Sequence, residues 1–268
     1  MTVVRGKAND RFTVYALEYG RRQGARGEHF LGWDTASGDR HDTSYYVWLL
    51  LSADRTILVD TGMGPDGGRT LPGWSYRASP FKILRSLGVT VEDIDTVVLT
   101  HLHYDHAGGV RALPRARVAV QRAELDYWTS PAATRIGREA WLVDPRDLAH
   151  LTVLAETDRL DVAAGDTQIG PGLSAHLVGG HTAGTQILAV QSATGRVVLA
   201  SDAVHFFENL QTDRPGTIVH CMPAVYSAFD RVRELADGGP IVPGHDPDVL
   251  TRFSRPDARL PNHVVRIA

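Results

Sequence analysis

A single cysteine, Cys221, stands in 268 residues, so no disulfide can close within the chain. No apolar run approaches the roughly 18–20 residues of a membrane span. The opening residues, Met1-Thr2-Val3-Val4-Arg5, lack the apolar stretch of a signal peptide. A soluble cytoplasmic protein without a membrane partner is the expectation. Charge of one sign is not in excess either, with a formal net charge of −3. Arginines gather at Arg21-Arg22, at Arg111, Arg115 and Arg117, and at Arg252 and Arg255, but they read as scattered surface charge. Nucleic-acid binders usually show a basic face, so no nucleic-acid partner is expected. Also missing are a Pro/Ser-rich linker, a low-complexity tract and a tandem repeat. With 43% hydrophobic residues the chain can build a substantial core, and residues 1–268 read as one domain.

Against these absences stands one dense segment, His101-Leu102-His103-Tyr104-Asp105-His106. Imidazole nitrogen and carboxylate oxygen are ligands for zinc and similar divalent ions. Four such side chains within six residues would be costly to bury without a cation to coordinate them. The preceding Thr96 to Thr100 reads as a short buried strand. Residues two apart on extended chain share a side, so His101 and His103 can reach one ion while Leu102 points into the core. The chain must then turn at Ala107-Gly108-Gly109. At such a turn Asp105 and His106 can face a second point, which suggests two neighbouring metals.

Other segments share one form, an apolar run that ends in a ligand-type residue beside glycine or at a sharp stop. Leu173 to Val178 leads to Gly179-Gly180-His181-Thr182, and Val197 to Ala200 leads to Ser201-Asp202. Ile241-Val242 leads to Pro243-Gly244-His245-Asp246, and Ile57-Leu58-Val59 leads to Asp60-Thr61-Gly62. Each reads as a strand delivering one side chain at its C-terminal edge, with glycine allowing close backbone approach. So many strand ends of one kind imply a common site.

The combination His-x-His-x-Asp-His, Gly-His-Thr, Ser-Asp-Ala and Pro-Gly-His resembles the metallo-β-lactamase superfamily, from about Tyr45 to Asp248. Within it, Thr100 to Gly109 and Gly180 to Gly184 are most similar to the N-acyl-homoserine lactone lactonase branch. The resemblance implies an α/β fold, a four-layer αββα sandwich. It implies two divalent metal ions, with zinc the expected metal: one held by His101, His103 and His181, the other by Asp105, His106 and His245. Asp202 would bridge both, together with a water or hydroxide. Asp60 would orient a ligand histidine from behind. The implied reaction is attack of the bridging hydroxide on a lactone carbonyl. Asp105 and His205 are candidates for assisting proton transfer, with a structural histidine the alternative reading of His205. His205 stands where lactonases of this branch carry a tyrosine that hydrogen-bonds the substrate. That departure leaves room for another cyclic ester, an amide or a carbamate. Other branches match less well: one expects cysteine where Asp202 stands, another expects glutamate where His103 stands.

Strands are predicted over Phe12 to Tyr19, Tyr45 to Leu51 and Thr56 to Asp60. Helices are predicted over Pro80 to Leu87, Gln121 to Thr129, about 132–150, and Ala224 to Ala236, whose Val225, Phe229 and Val232 share one face. Gly88 is a plausible terminator of the first helix. Two long glycine-rich segments, Arg21 to Thr43 with Phe30 and Trp33, and Met63 to Ser79 with Trp74 and Tyr76, could line a substrate groove or form local contacts. Phe206 and Phe207, just after Asp202, are pocket candidates. His29, His41, His150, His176, His220 and His263 read as ordinary surface or core histidines. The expected partner is a small lactone or ester, and the aromatic N-terminal segment could form a homodimer contact.

Overall fold

Strand β2 (Thr43–Leu51) shows how the layers of this protein arise. In the computed structural model, which describes residues 11–67 and 71–268, all but the last of its residues are buried. Side chains alternate along extended chain, so such a strand must be covered on both faces. Tyr45, Val47 and Leu49 join a cluster with helical residues, while Tyr46, Trp48 and Leu50 join a different cluster between two sheets.

The remaining strands follow in chain order around β2. They are β1 (Thr13–Arg22), β3 (Thr56–Val59), β4 (Trp74–Tyr76), β5 (Thr96–Val98), β6 (Arg117–Gln121), β7 (Leu160–Ala163) and β8 (Thr167–Gly170). Then come β9 (Leu173–Leu177), β10 (Gln186–Ser192), β11 (Gly195–Ser201), β12 (Ile241–Pro243) and β13 (Val264–Arg266). The first sheet runs β13-β1-β2-β3-β5-β6-β7 with β4 paired to β1, and the second runs β12-β11-β10-β9-β8. From β3 through β7 neighbours are parallel, as are β11 and β12.

Helices cover the outer faces. Ile83 and Leu84 of Pro80–Ser86, Trp128 of Arg122–Trp128, and Leu151 and Leu154 of Pro145–Glu156 pack on Val47, Leu58, Val97 and Val118 of the first sheet. Between the sheets, Val14, Trp48, Ile57 and Val98 meet Leu188, Val190, Leu199 and Val242. On the far side Val225, Phe229, Val232 and Leu235 of Met222–Ala236 lie over Ile187, Val198 and Ala200. The order helix, sheet, sheet, helix is the αββα sandwich expected. Among the described residues no helix is long and apolar enough to cross a membrane.

The structure revises several boundaries. Gln121 ends β6, and the helix after it is Arg122–Trp128. The expected helix over 132–150 is three pieces, Pro131–Arg135, Gly137–Ala140 and Pro145–Glu156. Pro145 lacks an N–H to continue a helix but suits the first helical position, and the Asp144 side chain accepts from Arg146 N at its start. Gly88 follows the Pro80–Ser86 helix at φ 77°, the left-handed conformation predicted for a terminator. The N-terminal residues read above for a signal, and part of the Met63 to Ser79 segment, lie outside the described residues.

Trp48, fully buried between the sheets, tests this layering. Its replacement by alanine should lower unfolding free energy by about 3–5 kcal/mol, read as a shift in urea midpoint.

Candidate metal centre

The strand ends that carry the ligand-type residues converge on one edge of the sandwich. His101 follows β5, and His103 immediately precedes a single turn of helix, Tyr104–Ala107, that carries Asp105 and His106. His181 follows β9, Asp202 follows β11 and His245 follows β12. All seven residues are at most 9% exposed. They fall into two compact groups, one of His101, His103, His181 and Asp202, the other of Asp105, His106 and His245, each with one donor atom per residue within 4.8 Å of the rest.

Asp202 faces both groups. Its Oδ2 lies 3.3 Å from His181 Nε2 and 3.8 Å from His101 Nε2. Its Oδ1 lies 3.3 Å from His106 Nε2 and 3.2 Å from His245 Nε2. Two backbone features hold it there. Ser201, the residue before it, adopts φ 43°, a strained conformation for a non-glycine residue. Gly244 passes so close that a Cβ there would collide with Asp202 Oδ1.

The imidazoles are oriented from behind. His106 Nδ1 donates to Asp60 Oδ2 at 2.7 Å. His181 Nδ1 donates to Ile218 O at 3.1 Å, and His245 Nδ1 donates to Ser44 O at 2.9 Å. Thr100 Oγ1 gives its proton to Asp60, so it accepts from His101 Nδ1 at 3.1 Å. With Nδ1 donating in these bonds, each of these four rings turns Nε2 inward, a lone pair whenever the ring is neutral. His103 turns Nδ1 inward instead, 3.0 Å from His181 Nε2. Asp60, itself at φ 58° and fully buried, also accepts from Thr100 N at 2.7 Å.

This donor set fits divalent cations. His101 Nε2, His106 Nε2 and Asp202 Oδ1 are buried without a hydrogen bond of acceptable geometry, which is costly unless another group satisfies them. The inward lone pairs, each backed by a tied ring nitrogen, are the arrangement metal-ligating histidines show. Burial pushes the His101 and His103 imidazoles well below their ordinary value, and His181 down to about 3. Burial acts the same way on His106, but the carboxylates of Asp202, Asp105 and Asp60 outweigh it and hold that ring well above its ordinary value.

A cleft of about 150 Å³ opens onto the centre, walled by Tyr45, Tyr104, Trp141, Ile218, His205 and Phe206 among others. His205 places Nε2 3.3 Å from Asp202 Oδ2 and stacks on the His245 ring at 5.6 Å. The 21–43 segment does reach the cleft, but through Arg22, Glu28, His29 and Thr43. Phe30 is buried against Phe206 and His41, and Trp33 points to solvent at 82% exposed. Trp74 packs on Tyr45 at 4.8 Å, and Tyr76 lines a separate open groove with Met63 and Phe81. Phe207 lies beneath Arg252, 3.9 Å from its guanidinium, and does not line the cleft. His29, read as ordinary, is a cleft residue: its Nε2 bonds His41 O, and burial lowers it to about 4. His176 lies away from the centre, between Ser174 Oγ and Asp166 Oδ2.

Comparison with known proteins agrees with this geometry. The sequence profile of the metallo-β-lactamase superfamily matches residues 39–248. An N-acyl homoserine lactonase from a Bacillus species is 28% identical over 192 residues, covering 66% of this chain and 71% of its own. The N-acyl homoserine lactonase AiiB of Agrobacterium fabrum is 27% identical over 238 residues, covering 79% and 83%. The crystal structure of a quorum-quenching N-acyl homoserine lactone lactonase superposes with a TM-score of 0.72 at 24% identity, covering 90% of this chain and 94% of that one. The chain thus belongs to the metallo-β-lactamase superfamily and is a metal-dependent hydrolase.

Proposed function

We propose that this protein opens a lactone ring, that of an N-acyl-homoserine lactone, at a centre of two divalent ions, with zinc the metal the ligands suit best. The observation that carries the reading is Asp202, whose carboxylate lies within 3.3 Å of histidines from both buried donor groups at the floor of a single cleft. His101, His103 and His181 would hold one ion, and Asp105, His106 and His245 the other. The curated relatives named above bear the same activity in their names. When bound, the ions supply an acidified water and an electrophile for the carbonyl oxygen.

The chain's own residues do the rest. Asp202 and the tied imidazoles fix the geometry in which water and carbonyl meet, so little reorganisation is needed during reaction. Tyr45, Tyr104, Trp141 and Phe206 form walls of the cleft that would receive the substrate. In hydrolysis the water oxygen bonds to the carbonyl carbon, the ring C–O bond breaks, and the departing alkoxide takes a proton. The products are a hydroxyl and a carboxylate, with one proton released near neutral pH. His205 lines the cleft and is the proposed donor to the substrate carbonyl or the leaving oxygen. Asp105, at the cleft floor, is the second group placed to carry a proton. We further read residues 1–268 as a single hydrolase domain.

Acid release from an N-acyl-homoserine lactone, followed by indicator dye, tests the activity. Wild-type protein loaded with zinc should release acid rapidly; chelator-treated protein and Asp202→Asn should fall to background. A protein shown to hold two ions that releases no acid from this lactone would redirect the reading to another cyclic ester, an amide or a carbamate. Replacing His205 by phenylalanine keeps a ring but removes the donor. It should lower kcat by roughly 10²-fold, the lower range for general acid catalysis, while metal content stays at two. His205→Tyr, which restores a hydroxyl donor, should recover most of that loss.

A further inference from the structure

Glu124 is a fully buried carboxylate in the helix Arg122–Trp128. Its Oε1 accepts from Leu102 N at 2.9 Å and from Trp128 Nε1 at 2.7 Å. Its Oε2 accepts from Thr182 Oγ1 at 2.6 Å and from Gly184 N at 2.7 Å. Leu102 lies between His101 and His103, and Thr182 directly follows His181. One side chain therefore ties the loop after β5, in the first sheet, to the loop after β9, in the second. Those two loops carry all three histidines of one donor group. Gly184 approaches so closely that a Cβ there would collide with the Glu124 backbone.

Resting on the metal-centre reading above, we propose that Glu124 is a positioning residue. It fixes His181 relative to His101 and His103 and thereby sets ion affinity at that half of the centre. The other half has anchors of its own that Glu124 does not touch, Asp60 on His106 and Ser44 on His245.

The chemistry requires a carboxylate. Leu102 N–H, Gly184 N–H and the Trp128 indole N–H donate and cannot accept. A glutamine amide in the same place sets its NH₂ against a donor whichever way it turns. Turned one way it meets Leu102 N–H and the indole N–H; turned the other it meets Gly184 N–H. The loop after β9 must then shift to relieve the contact. Other bonds hold the two sheets together here, since Gln186 N donates to Thr100 O at 2.9 Å and Gln186 Nε2 to Leu99 O at 2.7 Å. The substitution therefore acts on the loops while the sandwich stays closed.

The test is metal binding by wild type, Glu124→Gln, Thr182→Val and Thr182→Ser, using Co²⁺ as probe. Visible absorption reports each ion's surroundings, a competing chelator reports affinity, and circular dichroism checks folding. Wild type should bind two ions. Glu124→Gln should bind one ion about 10–100-fold more weakly, the usual cost of losing a residue that orients a ligand, with the second unchanged. Thr182→Val should weaken the same ion by a smaller factor, and Thr182→Ser should match wild type.

A folded Glu124→Gln with wild-type affinity and spectrum for both ions overturns the proposal. So does equal weakening of both ions, the mark of general destabilisation. If Glu124→Gln fails to fold, unchanged binding by Thr182→Val overturns it instead. Wild-type protein that binds two ions but opens no lactone overturns the proposed activity and leaves this assignment standing. Wild-type protein that binds no ion overturns both.

Discussion

Seven ionisable side chains lie buried at one edge of this protein, and most of its local structure serves to orient them. Four of the five imidazoles use Nδ1 to donate to a scaffold oxygen: the Asp60 carboxylate, the Thr100 hydroxyl, or the carbonyls of Ile218 and Ser44. That bond fixes both the tautomer and the ring plane, so the inward nitrogen is a lone pair aimed at a defined point. Lone pairs and carboxylate oxygens so concentrated repel one another. The arrangement is stable only with positive charge among them, as protons or as metal ions.

The sandwich supplies the required edge. Strands buried on both faces cannot vary much in position, because residues on one side pack against helices and those on the other against the second sheet. Their C-terminal ends are thereby fixed relative to one another. At two of these ends the backbone is held at positive φ without glycine, at Asp60 and Ser201. Such strain persists where the surroundings over-determine the conformation. Here Asp60 is gripped by Thr100 and His106, and the residue after Ser201 is Asp202, which faces both donor groups.

The cleft has a different origin. Its floor is the donor set, but its walls come from segments far apart in sequence: 22–29, 43–45, Leu71 of the Met63 to Ser79 segment, 104–105, 141–142, 205–206 and 217–218. Aromatic content alone was a poor guide to these walls. Trp33 points to solvent and Phe30 sits behind Phe206, while His29, with no distinguishing neighbours in the sequence, reaches the cleft. A loop's composition says little about which of its side chains turns inward, because that depends on what the loop packs against. Phe206 and Phe207 make the point at closest range: adjacent in sequence, one lines the cleft and the other lies under Arg252.

What the sequence determined by itself was which ionisable residues stand at the strand ends that form this edge. Residues two apart on extended chain share a face, and a strand that stops at a histidine or aspartate presents it at the edge, so His101, His103, Asp105, His106, His181, Asp202 and His245 were legible from local spacing and from resemblance. The long helix over Met222–Ala236 was legible for the same reason, its periodicity being local. What only tertiary structure decided was the support of those donors. Glu124 reads as one more acidic residue on a short helix, and the carbonyls of Ser44 and Ile218 carry no side-chain signal at all. Their roles come from contacts between residues 22 to 201 positions apart, and hydrogen bonds of that reach leave no periodic trace in the chain.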